Sequence, residues 1–172
     1  MKILIIALSG IGDALMFTPA LKLLREQLPD AQIDVLVMFK GAQDIFINNP
    51  NINNVYRFDF LREGSLKSLK YILSLRGNYD TSINVYPSNR KEYNFINFLI
   101  GSRNRVGVKY LRKDFSNFGF LNRIRITEND SVHNVQTNIK LIEKLLNKKF
   151  DEEPTLELIV ADEDEIRAQK FF

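Results

Sequence analysis

Cysteine is absent from this 172-residue chain, and histidine occurs once, at His133. Neither a disulfide framework nor a thiolate metal site can be built, and a multi-histidine metal site is equally excluded. No apolar run exceeds six residues (Ile3 to Leu8), far short of the roughly 20 needed to cross a bilayer. Met1-Lys2 leads into a strand-like run without a small-residue cleavage site, so no secretory signal is read. The expected location is cytoplasmic.

What is present is enough for one ordinary domain or half of a two-domain protein. A chain of this length buries roughly 70% of its unfolded surface and needs no staples. The net charge of +3 hides a segregation. From Arg90 to Arg125 nine basic residues stand against Glu92 and Asp114. From Asp151 onward eight acidic residues face only Arg167 and Lys170. A basic middle suits an anionic partner, although scattered charges are as often a solvated face.

Continuous apolar runs rich in Ile and Val, "KILIIA" and "IDVLVMF", predict strands covered on both faces, as in a parallel sheet. Between them "ALMFTPALKLLREQLPD" carries Leu15, Leu21, Leu24 and Leu28 at helical spacing, stopped by Pro29-Asp30. Pro19 either opens a helix capped by Thr18 or kinks a longer one that starts near Asp13. This is a βαβ unit with an expected right-handed crossover. The alternation continues with a helix at "GAQDIFIN", a strand at "NNVYRFD" and a helix capped by Ser65. A strand at "YDTSINVY", a helix ending at Gly101 and a strand at "NRVGV" come next. "KYLRKDFSNFGFL" has no clean period and reads as a loop, followed by the strand "RIRIT". A last amphipathic helix has Val132, Val135, Ile139, Ile142 and Leu146 on one face, with Ser131 or Asp130 as cap. "EEPTLELIVADEDEIRAQKFF" predicts a strand and the start of a further helix. The expected fold class is α/β, a doubly wound, mostly parallel Rossmann-like sheet.

In such a sheet ligands bind at the carboxyl ends of strands, so Ser9-Gly10-Ile11-Gly12-Asp13 draws attention. The spacing argues against dinucleotide binding, because Leu15 stands where G-x-G-x-x-G needs its third glycine. The second strand also ends "VMFK", without an acid for a ribose. No Gly-Lys-Ser/Thr follows, so a P-loop is excluded. A phosphate cradle made from backbone N–H groups, a catalytic base and a plain tight turn stay open. Asp13 reads either as an N-cap carboxylate or as a general base, and capping is favoured on physics alone. A helix N-terminus stabilises the charged form and so weakens the base.

The stretch "KILIIALSGIGDALMFTPALKLLREQLPDAQIDVLV" resembles the opening of the family nine glycosyltransferases, the ADP-heptose:lipopolysaccharide heptosyltransferases. The segments "NPNINNVYRFD", "YDTSINVYPSNRKEYNFINFLIGSRNRVGV" and "HNVQTNIKLIEKL" resemble further family segments in order, to about residue 148. The resemblance implies the N-terminal half of a GT-B fold. Residues 1–160 would form the acceptor-side domain and 161–172 the start of an interdomain helix, with the C-terminal donor domain absent. It implies an inverting, metal-independent and cofactor-free transfer from a nucleotide-sugar donor such as ADP-heptose to a lipopolysaccharide core or related glycan. The domain alone is expected to be inactive. Asp13 would be the general base, and Ser9, Gly10, Ile11 and Gly12 would form the donor phosphate loop. Many members have a basic residue at the place of Ala7 or Leu8, which leaves less positive charge beside the donor here.

The basic stretch then gains a role. Arg90, Lys91, Arg112 and Lys113 would bind an anionic glycolipid acceptor, while Arg103 and Arg105 read as solvated. Tyr110, Phe115, Phe118 and Phe120 either pack in the core, the favoured reading, or touch lipid, with peripheral contact at the cytoplasmic face of the inner membrane. His133 reads as a cap or hydrogen-bonding residue rather than a catalytic one. No helix-turn-helix, RNP or finger pattern supports nucleic-acid binding. The alternative function is a non-catalytic nucleotide- or phosphate-binding Rossmann-like module.

Overall fold

The computed structural model describes residues 1–151 and 155–159. Six strands, β1 (Lys2–Ala7), β2 (Gln32–Val37), β3 (Asn54–Arg57), β4 (Thr81–Asn84), β5 (Asn104–Lys109) and β6 (Ile124–Thr127), form one sheet in the order β3-β2-β1-β4-β5-β6. Every pairing in it is parallel. Residues in the register pairs Ile5↔Val35 and Ile5↔Ile83 are fully buried, as expected where helices cover both faces.

The alternation of side chains along β1 divides the core. Ile3, Ile5 and Ala7 pack with residues of α2 (Thr18–Gln27), α3 (Lys40–Phe46) and α6 (Asn134–Leu146). Leu4, Ile6 and Leu8 face Ile72 of α4 (Ser65–Ser74) and Ile96 and Ile100 of α5 (Lys91–Ile100). Each fully buried Ile or Leu contributes about 1.5–3 kcal/mol relative to exposure, and β1 is apolar throughout from Ile3 to Ala7.

The helix after β1 is two pieces. α1 (Ile11–Leu15) stops after one turn and α2 restarts at Thr18, with Pro19 in its first turn, where a missing N–H costs nothing. Thr18 is not the cap. Its hydroxyl donates to the Leu15 carbonyl at 2.9 Å and accepts the Glu157 N–H at 3.0 Å. Ser65 is also the first helical residue rather than a cap. The cap position belongs to Gly64 at φ 76°, a conformation that favours glycine. His133 caps α6, its Nδ1 accepting the Val135 N–H at 3.3 Å, so the cap is neither Ser131 nor Asp130, and Val132 precedes the helix. Gly101 does end α5, at φ 75°.

Residues 155–159 form no strand. They run beside α2, where Glu157 pairs with Lys22 at 2.8 Å. The helix expected over 161–172, and the boundary at residue 160, lie outside the described residues.

Candidate functional site

β1 and β4 are neighbours, yet the chain leaves β1 toward β2 and leaves β4 toward β5. Their carboxyl ends therefore open a crevice, the usual ligand position in a doubly wound sheet. Its walls are the loop from Leu8 to Asp13 and the segment from Val85 to Tyr93. The two are tied together. The Ser9 hydroxyl donates to the Pro87 carbonyl at 2.8 Å, and the Tyr93 hydroxyl donates to the Leu8 carbonyl at 3.1 Å. Behind them Asn138 holds Tyr86 by both backbone groups, at 2.9 and 3.2 Å. The buried Tyr110 hydroxyl accepts the Ser88 N–H, and burial pushes its pKa up to about 12. It stays a neutral phenol that fixes this wall.

The crevice has a volume of about 600 Å3. Ser9, Gly10 and Asp13 line it on the β1 side, and Pro87, Ser88, Asn89, Arg90, Glu92 and Tyr93 on the β4 side. Phe39, Phe60 and Leu61 supply an apolar flank. A polar floor beside an apolar wall suits a sugar or glycolipid better than a bare ion.

Asp13 is partly buried, at the third position of α1. It is not the N-cap. Gly10 holds that position, with no side-chain cap hydrogen bond, and the Gly10 N–H favours the charged form of the Asp13 carboxylate. The sequence-based expectation of a weakened base is also reversed. Burial raises the carboxyl pKa above its ordinary value of 3.8, and the nearby Gly10 N–H offsets this only in part. One helical turn aligns too few peptide dipoles to outweigh desolvation.

Gly10 and Gly12 need no special backbone conformation. Gly10 has φ −71°, and a Cβ at either position would meet nothing within 4 Å. Internal sterics of a tight turn therefore do not account for the glycines, and the space above them is open. Ser9 and Gly10 line the crevice, whereas Ile11 and Gly12 sit exposed at its edge.

The basic candidates separate. Arg90 lines the crevice, its guanidinium 5.9 Å from the centre of the Tyr93 ring. Lys91 opens α5 and is exposed outside the lining. Arg112 and Lys113 lie on an exposed loop. Arg112 meets the wall only through its carbonyl, which accepts from Asn89 at 3.2 Å. Arg105 is not solvated. It is buried, donates to the carbonyls of Leu121 and Ser102 at 2.9 Å each, and lies 5.4 Å from the centre of the Phe98 ring. Among the described residues no group of three or more His, Cys, Asp or Glu could hold a metal.

No family model matches the chain. Over 79 residues it is 35% identical to lipopolysaccharide heptosyltransferase 3 of Escherichia coli (strain K12), covering 43% of this chain and 23% of that protein. Its fold matches the glycosyl transferase family 9 structure from Veillonella parvula DSM 2008 with a TM-score of 0.76 at 20% identity, over 99% of this chain and 48% of that one. It matches E. coli ADP-heptose lps heptosyltransferase II equally, with a TM-score of 0.76 at 20% identity over 99% and 50%. A third match is an E. coli heptosyltransferase solved with ADP-2-deoxy-2-fluoro heptose (TM-score 0.70, 20% identity, 90% and 51%). The chain is similar in fold to structures of the family nine glycosyltransferases. It spans about half the length of these solved structures.

Ala7 and Leu8 are buried, and neither is among the residues that line the crevice. Tyr93, Glu92, Ser88 and Asn89 are site residues that the sequence reading missed. Their signal was positional only: they follow the fourth strand, as Ser9 to Asp13 follow the first. Burial raises the Tyr93 pKa. Arg90 and the Ser9 hydroxyl oppose that rise, while the charges of Glu92 and Asp13 add to it.

Proposed function

We propose that this chain is the acceptor-side domain of an inverting, metal-independent glycosyltransferase. It would move a heptose-like sugar from a nucleotide diphosphate, ADP-heptose first, to an anionic lipopolysaccharide core or related glycan. The observation that carries the reading is a carboxylate, Asp13, lining the crevice at the β1/β4 switch point with a pKa raised by burial.

In the transfer, the acceptor oxygen attacks the anomeric carbon and the bond from that carbon to the diphosphate oxygen breaks. The electron pair leaves with the nucleotide diphosphate, and the acceptor proton passes to Asp13. A carboxylate of raised pKa is the stronger base for that step. The open space above Gly10 and Gly12 would let the diphosphate approach the Ser9 to Gly12 loop closely as its charge develops. Arg90, with Ser88 and Asn89 beside it, would hold an anionic group of the acceptor. Lys91, Arg112 and Lys113, outside the lining, would attract the acceptor at longer range. The protein would work at the cytoplasmic face of the inner membrane, where donor and lipid-linked acceptor meet.

The test is to express the complete reading frame that contains this chain and assay it with ADP-heptose and a core acceptor. Asp13→Asn should lower the rate by about 10²–10⁴-fold. A variant with near-parental rate would remove Asp13 as the base. No transfer by the complete protein, with micromolar nucleotide binding by this chain alone, would replace the reading with a non-catalytic nucleotide-binding module.

A further inference from the structure

The loop between β5 and β6 displays what the sequence reading expected to be buried. Tyr110 is in the core, stacked 5.9 Å from Tyr86, but its neighbours are not. Phe115 is 81% exposed, Phe118 40% and Phe120 47%, and Leu111 stands out beside them. The rings gather at one spot, with Phe115 5.3 Å and Phe118 6.1 Å from Phe120. A cluster of exposed aromatic side chains of this kind marks an interaction site.

The loop is built to hold them outward. Asp114 is its keystone: its Oδ1 accepts the Tyr110 N–H at 3.1 Å and its carbonyl accepts the Gly119 N–H at 2.8 Å. A Cβ on Gly119 would come within 2.1 Å of that Oδ1, so only glycine lets the two strands of the loop close. The Lys113 carbonyl accepts the Asn117 N–H at 2.9 Å, and the Phe115 carbonyl accepts the Phe118 N–H at 3.0 Å. Lys113 and Phe118 both sit at positive φ, 60° and 58°, which non-glycine residues rarely adopt. Asn117 then bonds Asn89, fastening the loop beside the crevice. Exposure of the rings is thus a consequence of a well-bonded loop.

Charge decides between occupants. Asp114 is spoken for by Arg125 at 3.1 Å, whereas Arg112 and Lys113 have no side-chain partner among the described residues. Two copies meeting through this patch would oppose like charges. A bilayer with anionic headgroups takes the rings at its interface and the cations at its surface. The other exposed apolar patch, Leu61, Leu66, Leu69 and Leu73, is all leucine, without the aromatic rings that favour a bilayer interface, and two of its neighbouring cations are in ion pairs, Arg62–Asp59 and Lys67–Glu63.

We infer that Leu111, Phe115, Phe118 and Phe120, flanked by Arg112 and Lys113, form a docking surface for an anionic lipid bilayer. The inference deepens the proposed function and draws its purpose from it: a lipid-linked acceptor in that bilayer lies next to the Asn89 and Arg90 wall of the crevice. The binding itself is measured without any transfer, so the two readings fail separately.

The 172-residue chain is sedimented with mixed phosphatidylglycerol and phosphatidylcholine vesicles, and with phosphatidylcholine vesicles as reference. Binding to the mixed vesicles only, weakened by salt, is expected. Phe115→Ser, at a position too exposed to disturb folding, should lose about tenfold in affinity with an unchanged circular dichroism spectrum. Lys113→Asn, which keeps a residue tolerant of positive φ, should lose about fivefold. Asp13→Asn should bind as the parent does, whatever its effect on transfer. No binding to anionic vesicles overturns the inference, and so does equal binding by Phe115→Ser. A dimer that Phe115→Ser dissolves, with no vesicle binding, assigns the patch to a second copy instead. Binding by this chain that is lost in the complete protein assigns it to the rest of that protein.

Discussion

The Ser9 hydroxyl donates to the Pro87 carbonyl at 2.8 Å, joining positions 78 residues apart at the mouth of the crevice. The bond sets the distance between its walls. Ser9→Ala leaves the Pro87 carbonyl without this donor and should cost about 1 kcal/mol in urea unfolding. In the complete protein kcat should fall and KM for the acceptor should rise together, because the tie positions both Asp13 and the wall that carries Ser88, Asn89 and Arg90. An unchanged kcat would mean that the tie has no part in positioning.

Asp13 makes a prediction about pH. Its carboxyl pKa is raised in the folded chain, so between the unfolded and folded values the native state binds more protons than the unfolded state. Stability due to this group therefore falls as pH rises through that window and stays lower above it. Asp13→Asn removes the penalty. Thermal melts should show the variant gaining on the parent at neutral pH, with the gain shrinking below the carboxylate range. A variant less stable than the parent at neutral pH would show that the ionised carboxylate stabilises the fold.

Arg90 and Lys91 are adjacent in sequence but differ in place. Arg90→Ala should raise KM for an anionic acceptor about tenfold, since a charge-assisted hydrogen bond contributes about 1.5–3 kcal/mol. Lys91→Ala should change it no more than a few-fold, as for an exposed charge. Steady-state kinetics on the complete protein distinguishes them, and equal effects would return both to a diffuse basic field.

A buried amide network supports α5. Asn97 accepts from the Ser82 hydroxyl and donates to Asn122 at 2.8 Å, and Asn122 donates to Asn94 at 2.7 Å. Asn97→Ala should cost about 2–4 kcal/mol by leaving buried partners unpaired. Gly107→Ala strikes the same network, because its Cβ would lie 2.7 Å from the Asn122 Nδ2. Denaturant melts should show the double variant less destabilised than the sum of the two.

Much of the fold was legible because its signals are local. Apolar runs such as Ile3 to Leu8 predict doubly covered strands, and Gly101 announces a helix end through its freedom at positive φ. Caps were less legible. Ser65, Ser131 and Asp130 have suitable side chains, but at α4 and α6 the backbone path gave the cap to Gly64 and His133. The aromatics of the loop after β5 misled for the same reason: composition says that Phe tends inward, while the Asp114 hydrogen bonds decide that Phe115 points out.

By itself the sequence determined the strand and helix alternation, the parallel sheet, and Asp13 as the carboxylate at the first strand's end. These follow from periodicity and from residues near one another along the chain. Tertiary structure alone decided that Tyr93 and Arg90 stand across from Asp13, that Lys91 and Arg112 stand outside the lining, and that burial raises the Asp13 pKa. Those facts depend on which strand ends are neighbours and on how much water remains between them, and both are set by packing across about 80 residues of chain.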